Sequence, residues 1–302
     1  MSQESSTAPL VTILMPVFNG QTHLAAAIES ILKQSYAHFE FLIIDDGSTD
    51  QSAHIIATYT DSRIRFLSNW RNLGLVATLN LGIEYSSGKY IARMDADDVS
   101  RPNRLAVQVA LLEQGAADIS GSFFEVITEN GDYQRTLSAP LSMDTVIACL
   151  ANTVPFAHGS VMLRKAFLEQ HQLRYEPKSS IEDFDLWIRV FEAGGIFANA
   201  PEALYQYREH THSLSQLKRL AMAKSAKQLR RQFVLRNLLA CQAAFKHLLP
   251  IKGQLDYRDQ LNLICLAYRL AQISGHWTGF FRTLLGLSPK TVAHGFYRLM
   301  NA

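Results

Sequence analysis

Residues 90–104 read YIARMDADDVSRPNR. A short apolar run, 90–94, delivers the chain straight into three aspartates, Asp95, Asp97 and Asp98. Like charges this close repel one another wherever they lose solvent, so the stretch asks for a positive partner. The same shape occurs twice earlier. LVTILMPVF (10–18) is an apolar, β-branched run ending at a proline and an Asn-Gly turn signal, and FEFLII (39–44) stops at Asp45-Asp46-Gly47-Ser48. Each reads as a buried strand.

Between these runs the spacing turns helical. Leu24, Ala27, Ile28, Ile31 and Leu32 share one side of a helix over 22–33, and further helices are predicted over 50–59 and 73–85, with a short strand at 63–67. Strand alternating with helix is the α/β pattern with a mostly parallel buried sheet. In such sheets ligands sit beyond the carboxyl ends of the strands, which is where FNG, DDGSTD and DADD all fall. Beyond Arg104 the pattern loosens. A helix to about residue 114, strand-like stretches at 118–128 and 158–163, a helix at 183–193 and a strand near 203–207 are expected. From residue 217 strand signals vanish, and helices are predicted over 217–249, 256–273 and 290–301. Two parts follow, 1–216 and 217–302.

Charge divides the chain at the same place. Residues 218–302 hold 14 Lys and Arg against Asp256 and Asp259, a formal +12, whereas residues 1–217 hold 15 basic and 25 acidic residues, a formal −10. The tail mixes its cations with Leu220, Leu229, Phe233, Phe245, Trp277, Phe280, Phe281, Phe296 and Tyr297. Basic, aromatic-rich amphipathic helices suit an anionic membrane face. They suit equally a helical subdomain packed on the rest of the chain or on a second copy. Nucleic acid is not an expected partner, since the bulk of the chain is acidic and no binding motif occurs. No run reaches eighteen apolar residues, and MSQESSTAP has neither the basic flank nor the apolar core of a signal peptide. Cys149, Cys241 and Cys265 are far apart and read as buried reduced thiols. A cytoplasmic protein is expected, peripheral at the inner face of the membrane if the tail binds lipid.

Paired carboxylates on a strand-end loop can hold Mg2+ or Mn2+ against substrate phosphates. The plain alternative is a solvated acidic turn, with Asp98 or Ser100 capping the helix ahead of Pro102. In DDGSTD, Asp46 could accept hydrogen bonds from a base or ribose, Gly47 permits the tight turn, and Ser48 or Asp50 can cap the next helix. No Gly-x-Gly-x-x-Gly follows the first strand, which disfavours a dinucleotide dehydrogenase. PVFNGQTHL lacks the basic glycine-rich loop a nucleotidyltransferase would want.

The ordered blocks PVFNG (16–20), SILKQSY (30–36), IIDDGSTDQS (43–52), NLGLVATLNLGI (72–83), GKYIARMDADDVSRPNRL (88–105), HGSVMLRK (158–165), IEDFDLWIRV (181–190) and YREHTHSLS (207–215) resemble family-2 inverting glycosyltransferases of GT-A fold. The resemblance covers residues 10–215 and implies a Rossmann-like, mixed but mostly parallel sheet flanked by helices. It implies transfer from a nucleoside diphosphate sugar, with uridine diphosphate the expected carrier, to a saccharide acceptor, free or lipid-linked. The setting it implies is bacterial surface polysaccharide synthesis: O-antigen, capsule or exopolysaccharide. By position, Pro16, Phe18 and Asn19 lie under the base, Asp46 hydrogen-bonds it, and Asn72 belongs to the donor site. Asp95 and Asp97 form the Asp-x-Asp, Asp97 being the metal ligand, Asp95 nearer the ribose and diphosphate, and Asp98 peripheral. Asp183 matches the catalytic base beside Glu182, Arg208 and His210 close over diphosphate and metal, and His158 lies on the acceptor side.

Plainer readings stand beside these. Glu182, Asp183 and Asp185 would favour the positive end of a helix anyway. His158 and Phe18 could be core residues, and Arg208, His210 and His212 an exposed loop. Family members commonly carry an acid where this chain has Gln21. A non-catalytic sugar-nucleotide-binding or scaffolding relative acting through its tail is the alternative to an enzyme.

Overall fold

The computed structural model describes residues 9–210 and 219–301, so Leu217 and His212 lie outside the described residues. Two compact units emerge. The first comprises residues up to Leu137 together with Phe156–Pro177 and Ala198–His210. The second takes Ser138–Pro155, Lys178–Phe197 and everything from Thr211. The division is therefore not one cut near residue 217. Two internal segments, 138–155 and 178–197, cluster with the helical tail.

In the first unit, strands β1 (Val11–Val17), β2 (Phe39–Asp45), β3 (Ile64–Ser68) and β4 (Tyr90–Arg93) run parallel in the order β3-β2-β1-β4. They are bounded by helices α1 (Leu24–Leu32), α2 (Ser52–Ala57) and α3 (Leu75–Tyr85). After β5 (Val99–Ser100) and α4 (Arg104–Gln114) come β6 (Ile119–Ser120), β7 (Ser122–Ile127) and β8 (Tyr133–Leu137). Strand β9 (Met162–Arg164) pairs antiparallel with both β4 and β6 and completes a six-stranded sheet, mixed but mostly parallel, as the family resemblance implies. Val11, Ile13, Phe41 and Ile43 on the strands and Leu24, Ile28 and Ile31 on α1 share one core. Each such side chain contributes about 1.5–3 kcal/mol on burial.

Details differ from the sequence reading. Residues 158–160 form a 3-10 turn before the short strand β9. The helix after the aspartates starts from Asn103, not from Asp98 or Ser100, and Ser100 is a strand residue. The exposed hairpin strand β8 has too few apolar residues to announce itself.

A second, four-stranded sheet has the order β5-β10-β7-β8, where β10 spans Ala200–Arg208. Its antiparallel register sets Tyr205 against Ser100 and Gln206 against Val99. Continued by two residues, that register brings the end of β10 beside the aspartate loop.

The second unit holds α5 (Met143–Leu150), which opens with a Ser142–Thr145 capping box, and α7 (Glu182–Glu192), α6 being the short Lys165–Gln170 of the first unit. The tail contributes α8 (Arg219–Arg236), α9 (Leu238–Ile251), α10 (Tyr257–Ser274), α11 (Thr278–Leu284) and α12 (Pro289–Asn301). The single helix expected over 217–249 is thus two, parted at Asn237, whose side-chain amide donates to Phe233 O. A short helix, Thr278–Leu284, occupies the stretch between the last two expected helices. Ile264, Ala267, Ala271 and Phe280 form a local core, and Cys149, Cys241 and Cys265 are buried free thiols. No helix among the described residues is long and apolar enough to cross a membrane.

Candidate active site

The first unit gathers three loops at the carboxyl edge of β1, β2 and β4. After β1, Asn19 adopts φ 51° and donates its N–H to Ser48 Oγ at 2.9 Å, while its Oδ1 accepts from Thr49 N at 2.8 Å. Gln21 continues the tie. Its N–H donates to Asp50 Oδ2 at 3.1 Å and its Oε1 accepts from Gln51 N at 3.0 Å. Gln21 therefore joins two loops. Asp50 also accepts from Ser52 N at 2.9 Å, but the N-cap of α2 is Gln51, not Ser48 or Asp50. Phe18 is 49% exposed and is not a core residue, and Pro16 stays in β1 opposite Ile44.

Asp46, buried after β2, accepts from Asn69 Nδ2 at 2.8 Å, Leu73 N at 2.9 Å and Gly74 N at 2.8 Å. Three of its acceptor positions thus go to the turn at 69–74, on which Asn72 is exposed. Gly47, at φ 72°, lets that turn approach, since a Cβ there would lie 2.5 Å from Arg71 C. In this structure Asp46 shapes the 69–74 turn.

The three aspartates after β4 have three different surroundings. Asp95 pairs with the buried Arg93 guanidinium and takes the Tyr205 hydroxyl at its own N–H, 3.2 Å away. Gly159 makes room for both, because a Cβ there would meet Tyr205 and Asp95 Oδ2. Asp97 is the open one, its side chain 38% exposed, with Oδ2 2.9 Å from His210 Nε2. Asp98 is 1% exposed, and Oδ1 accepts the Arg208 N–H at 2.7 Å. Burial, then the charges of Asp95 and Asp97, push its pKa well above the usual carboxylate range. Asp98 is therefore not a peripheral loop residue. The β5–β10 register places it in the interior.

Arg208 is likewise no exposed loop residue. At the buried end of β10 it donates Nε to Asp97 O at 2.8 Å and Nη1 to Thr128 O at 3.2 Å and Glu129 O at 2.8 Å. Its guanidinium holds the aspartate loop to the second sheet. Beneath lies Arg104, fully buried, which donates Nη2 to Arg93 O at 2.7 Å and stacks 5.2 Å from the Tyr205 ring centre. Desolvation lowers its pKa to about 10.

His158, half-buried, shares a 2.8 Å hydrogen bond with the Tyr175 hydroxyl. Burial first, and Arg93 second, keep its pKa well below 6.5. Tyr175 in turn is fixed by a two-way bond with the Asn80 amide. His23, which sequence reading passed over, stands before α1 with its ring 6.1 Å from that of His210. Burial and then Arg208 lower its pKa. Only its place in FNGQTH could have flagged it.

Asp183 and Glu182 belong to the second unit. They open α7 with Asp185, and Asp183 Oδ1 accepts the Phe184 N–H at 2.7 Å. Asp185 is bound to Arg189 one turn on, at 2.7–2.8 Å.

These loops, strands and blocks have known relatives. Residues 12–171 match Glycosyl transferase family 2. The chain belongs to this family. An Escherichia coli member, UDP-Glc:alpha-D-GlcNAc-diphosphoundecaprenol beta-1,3-glucosyltransferase WfgD, is 30% identical over 213 residues, 68% of this chain and 79% of that protein. S. aureus TarS 1–349 in complex with UDP-GlcNAc has a TM-score of 0.64 at 16% identity, covering 96% of this chain and 90% of that one. The mannosyltransferase PcManGT from Pyrobaculum calidifontis, in complex with GDP-Man and Mn2+, has a TM-score of 0.62 at 15% identity, covering 98% and 86%. These likenesses show the fold, a GT-A-type mixed sheet followed by helices. As a family 2 member the chain is a glycosyltransferase.

Proposed function

We propose that this enzyme moves a sugar, with inversion, from a nucleoside diphosphate sugar to a hydroxyl of a lipid-linked saccharide at the inner face of a bacterial membrane, building a surface polysaccharide. The observation that carries this reading is the Asp97–His210 pair. A half-exposed carboxylate oxygen and an imidazole nitrogen 2.9 Å apart can share one divalent cation. The described residues offer no group of three His, Cys, Asp or Glu arranged around a metal, so this donor set fits an ion completed by phosphate oxygens and water. Mn2+ suits its mixed oxygen and nitrogen donors. When bound, such an ion neutralises charge growing on the leaving diphosphate.

The chain's own residues do the rest. Phe18 offers an exposed ring face to the base, beside Asn19 and Pro16. Asp46 and Asn72 shape the turn that borders the nucleotide, and Asp95, held by Arg93, faces the ribose and diphosphate. Arg208 fixes the metal-binding loop. Asp183 takes the acceptor hydroxyl proton as that oxygen attacks the anomeric carbon, and Glu182 and His158 border the acceptor. Uridine diphosphate as carrier and a lipid diphosphate acceptor are supported by the name of the E. coli relative.

The test is radiolabelled sugar transfer to a lipid-linked acceptor with Asp183→Asn. Turnover should fall by about 10²–10⁴-fold while the Mn2+-dependent thermal shift by donor persists. Turnover equal to wild type would remove Asp183 as the base.

A further inference from the structure

The last helices carry an apolar stripe that the helical unit leaves uncovered. Trp277, Phe281 and Leu285 are 40%, 59% and 69% exposed. Phe281 N donates to Trp277 O and Leu285 N to Phe281 O, so Trp277 and Leu285, which flank α11, and Phe281 within it follow one another at one-turn spacing along one side. The other side of the helix has its partner, since Phe280 is buried in the local core. Its ring lies 5.8 Å from Trp277, 5.6 Å from Phe281 and 6.1 Å from the exposed Phe296, so one buried ring joins the aromatic residues of α11 to those of α12. Contiguous exposed surface of this kind marks an interaction site.

Its charge selects the partner. Arg282 is exposed within the stripe, and Lys252 Nζ reaches its main-chain oxygen at 2.5 Å. Residues 260–302 contain no Asp or Glu; Arg269 and Arg298 lie beside the buried Cys265, so the cations of this face are Arg282 and Lys252. In a two-fold dimer built on this patch, the same cationic face would meet itself. An anionic lipid surface has the opposite charge, and Trp and Phe beside Arg and Lys suit the headgroup–acyl boundary.

We propose that Trp277, Phe281 and Leu285 seat the enzyme on an anionic bilayer, with Arg282 and Lys252 meeting lipid headgroups. This deepens the reading of a lipid-linked acceptor by naming the surface that meets the membrane. The test is co-sedimentation of the full chain with phosphatidylcholine vesicles, with and without about 30 mol% phosphatidylglycerol, neither containing a saccharide acceptor. Wild type should bind the anionic vesicles and lose them at high salt. Phe281→Ser/Leu285→Ser and, separately, Arg282→Glu should each weaken binding by about tenfold or more, with donor hydrolysis unchanged. Binding that ignores lipid charge, or variants that bind like wild type, would overturn the proposal. So would loss of a dimer in Phe281→Ser/Leu285→Ser without any vesicle binding by wild type. Arg282→Glu keeps the test open if the double variant fails to fold. Because hydrolysis is read without lipid, failure here leaves the transferase reading standing, and failure there leaves this one.

Discussion

The aspartate loop of the first unit and the aromatic helices of the second handle charge in opposite ways. In the loop, Asp95, Asp97 and Asp98 sit within four residues, yet each has its own counterpart: Arg93, His210 and the Arg208 N–H. Two of the counterparts come from 110 and 113 positions away, and Asp97 is left the most open of the three. Around α11, by contrast, the chain from residue 260 on has no Asp or Glu, and Trp277, Phe281 and Leu285 are exposed. In the first arrangement every carboxylate has a counterpart, Asp98 is buried, and Asp97 and Asp95 keep 38% and 29% of their side-chain surface open. The second is open over a whole helix side, as a surface for a large partner requires.

Four substitutions break or sharpen this contrast, in descending order of expected effect. Asp97→Ala removes the open carboxylate, and transfer should drop by about 10²–10³-fold. Its Mn2+-induced thermal shift should vanish, and a shift equal to wild type would exclude Asp97 as a ligand. Arg208→Lys keeps the charge but loses the planar fork that bonds three carbonyls. Chemical denaturation should show a loss of about 2–4 kcal/mol, whereas a purely phosphate-binding arginine would leave stability unchanged.

Asp259, on α10 of the second unit, tests burial of charge there. Burial, reinforced by Asp256, pushes its pKa from 3.8 to about 6. The folded state then holds the proton more tightly than the unfolded chain, so stability falls as pH rises from about 4 to 6 and stays lower above that. Asp259→Asn should remove this fall and raise the pH 8 melting temperature by about 2–4 °C. Parallel melting curves for the two proteins between pH 4 and 8 would refute it. The smallest effect belongs to Phe18→Ala, which should raise the donor KM by about 3–10-fold with kcat and melting temperature unchanged. A lowered melting temperature would instead mark Phe18 as a packing residue.

Much of the sheet was legible because buried strands such as FEFLII have no other stable place, and polar turns must end them. The carboxyl-edge position of FNG, DDGSTD and DADD followed from the same alternation. What was not legible depended on strand pairing. Nothing in YREH says that Arg208 faces the main-chain oxygens of Asp97, Thr128 and Glu129, or that Asp98 is interior. Both follow from Tyr205 lying opposite Ser100, 105 positions earlier. His23 was missed because a lone histidine near a helix start has no signature of its own.

By itself the sequence determined the alternation of strand and helix, the three polar loops at one sheet edge, and the split between an acidic body and a basic tail. Local periodicity and composition suffice for these, since each depends only on neighbours along the chain. Tertiary structure alone decided which aspartate is most open and which is buried, that Arg208 is spent on the main-chain oxygens of Asp97, Thr128 and Glu129, and that segments 138–155 and 178–197 join the helical unit. Burial and hydrogen-bond partners are properties of packing between distant segments, and residue order does not encode them one stretch at a time.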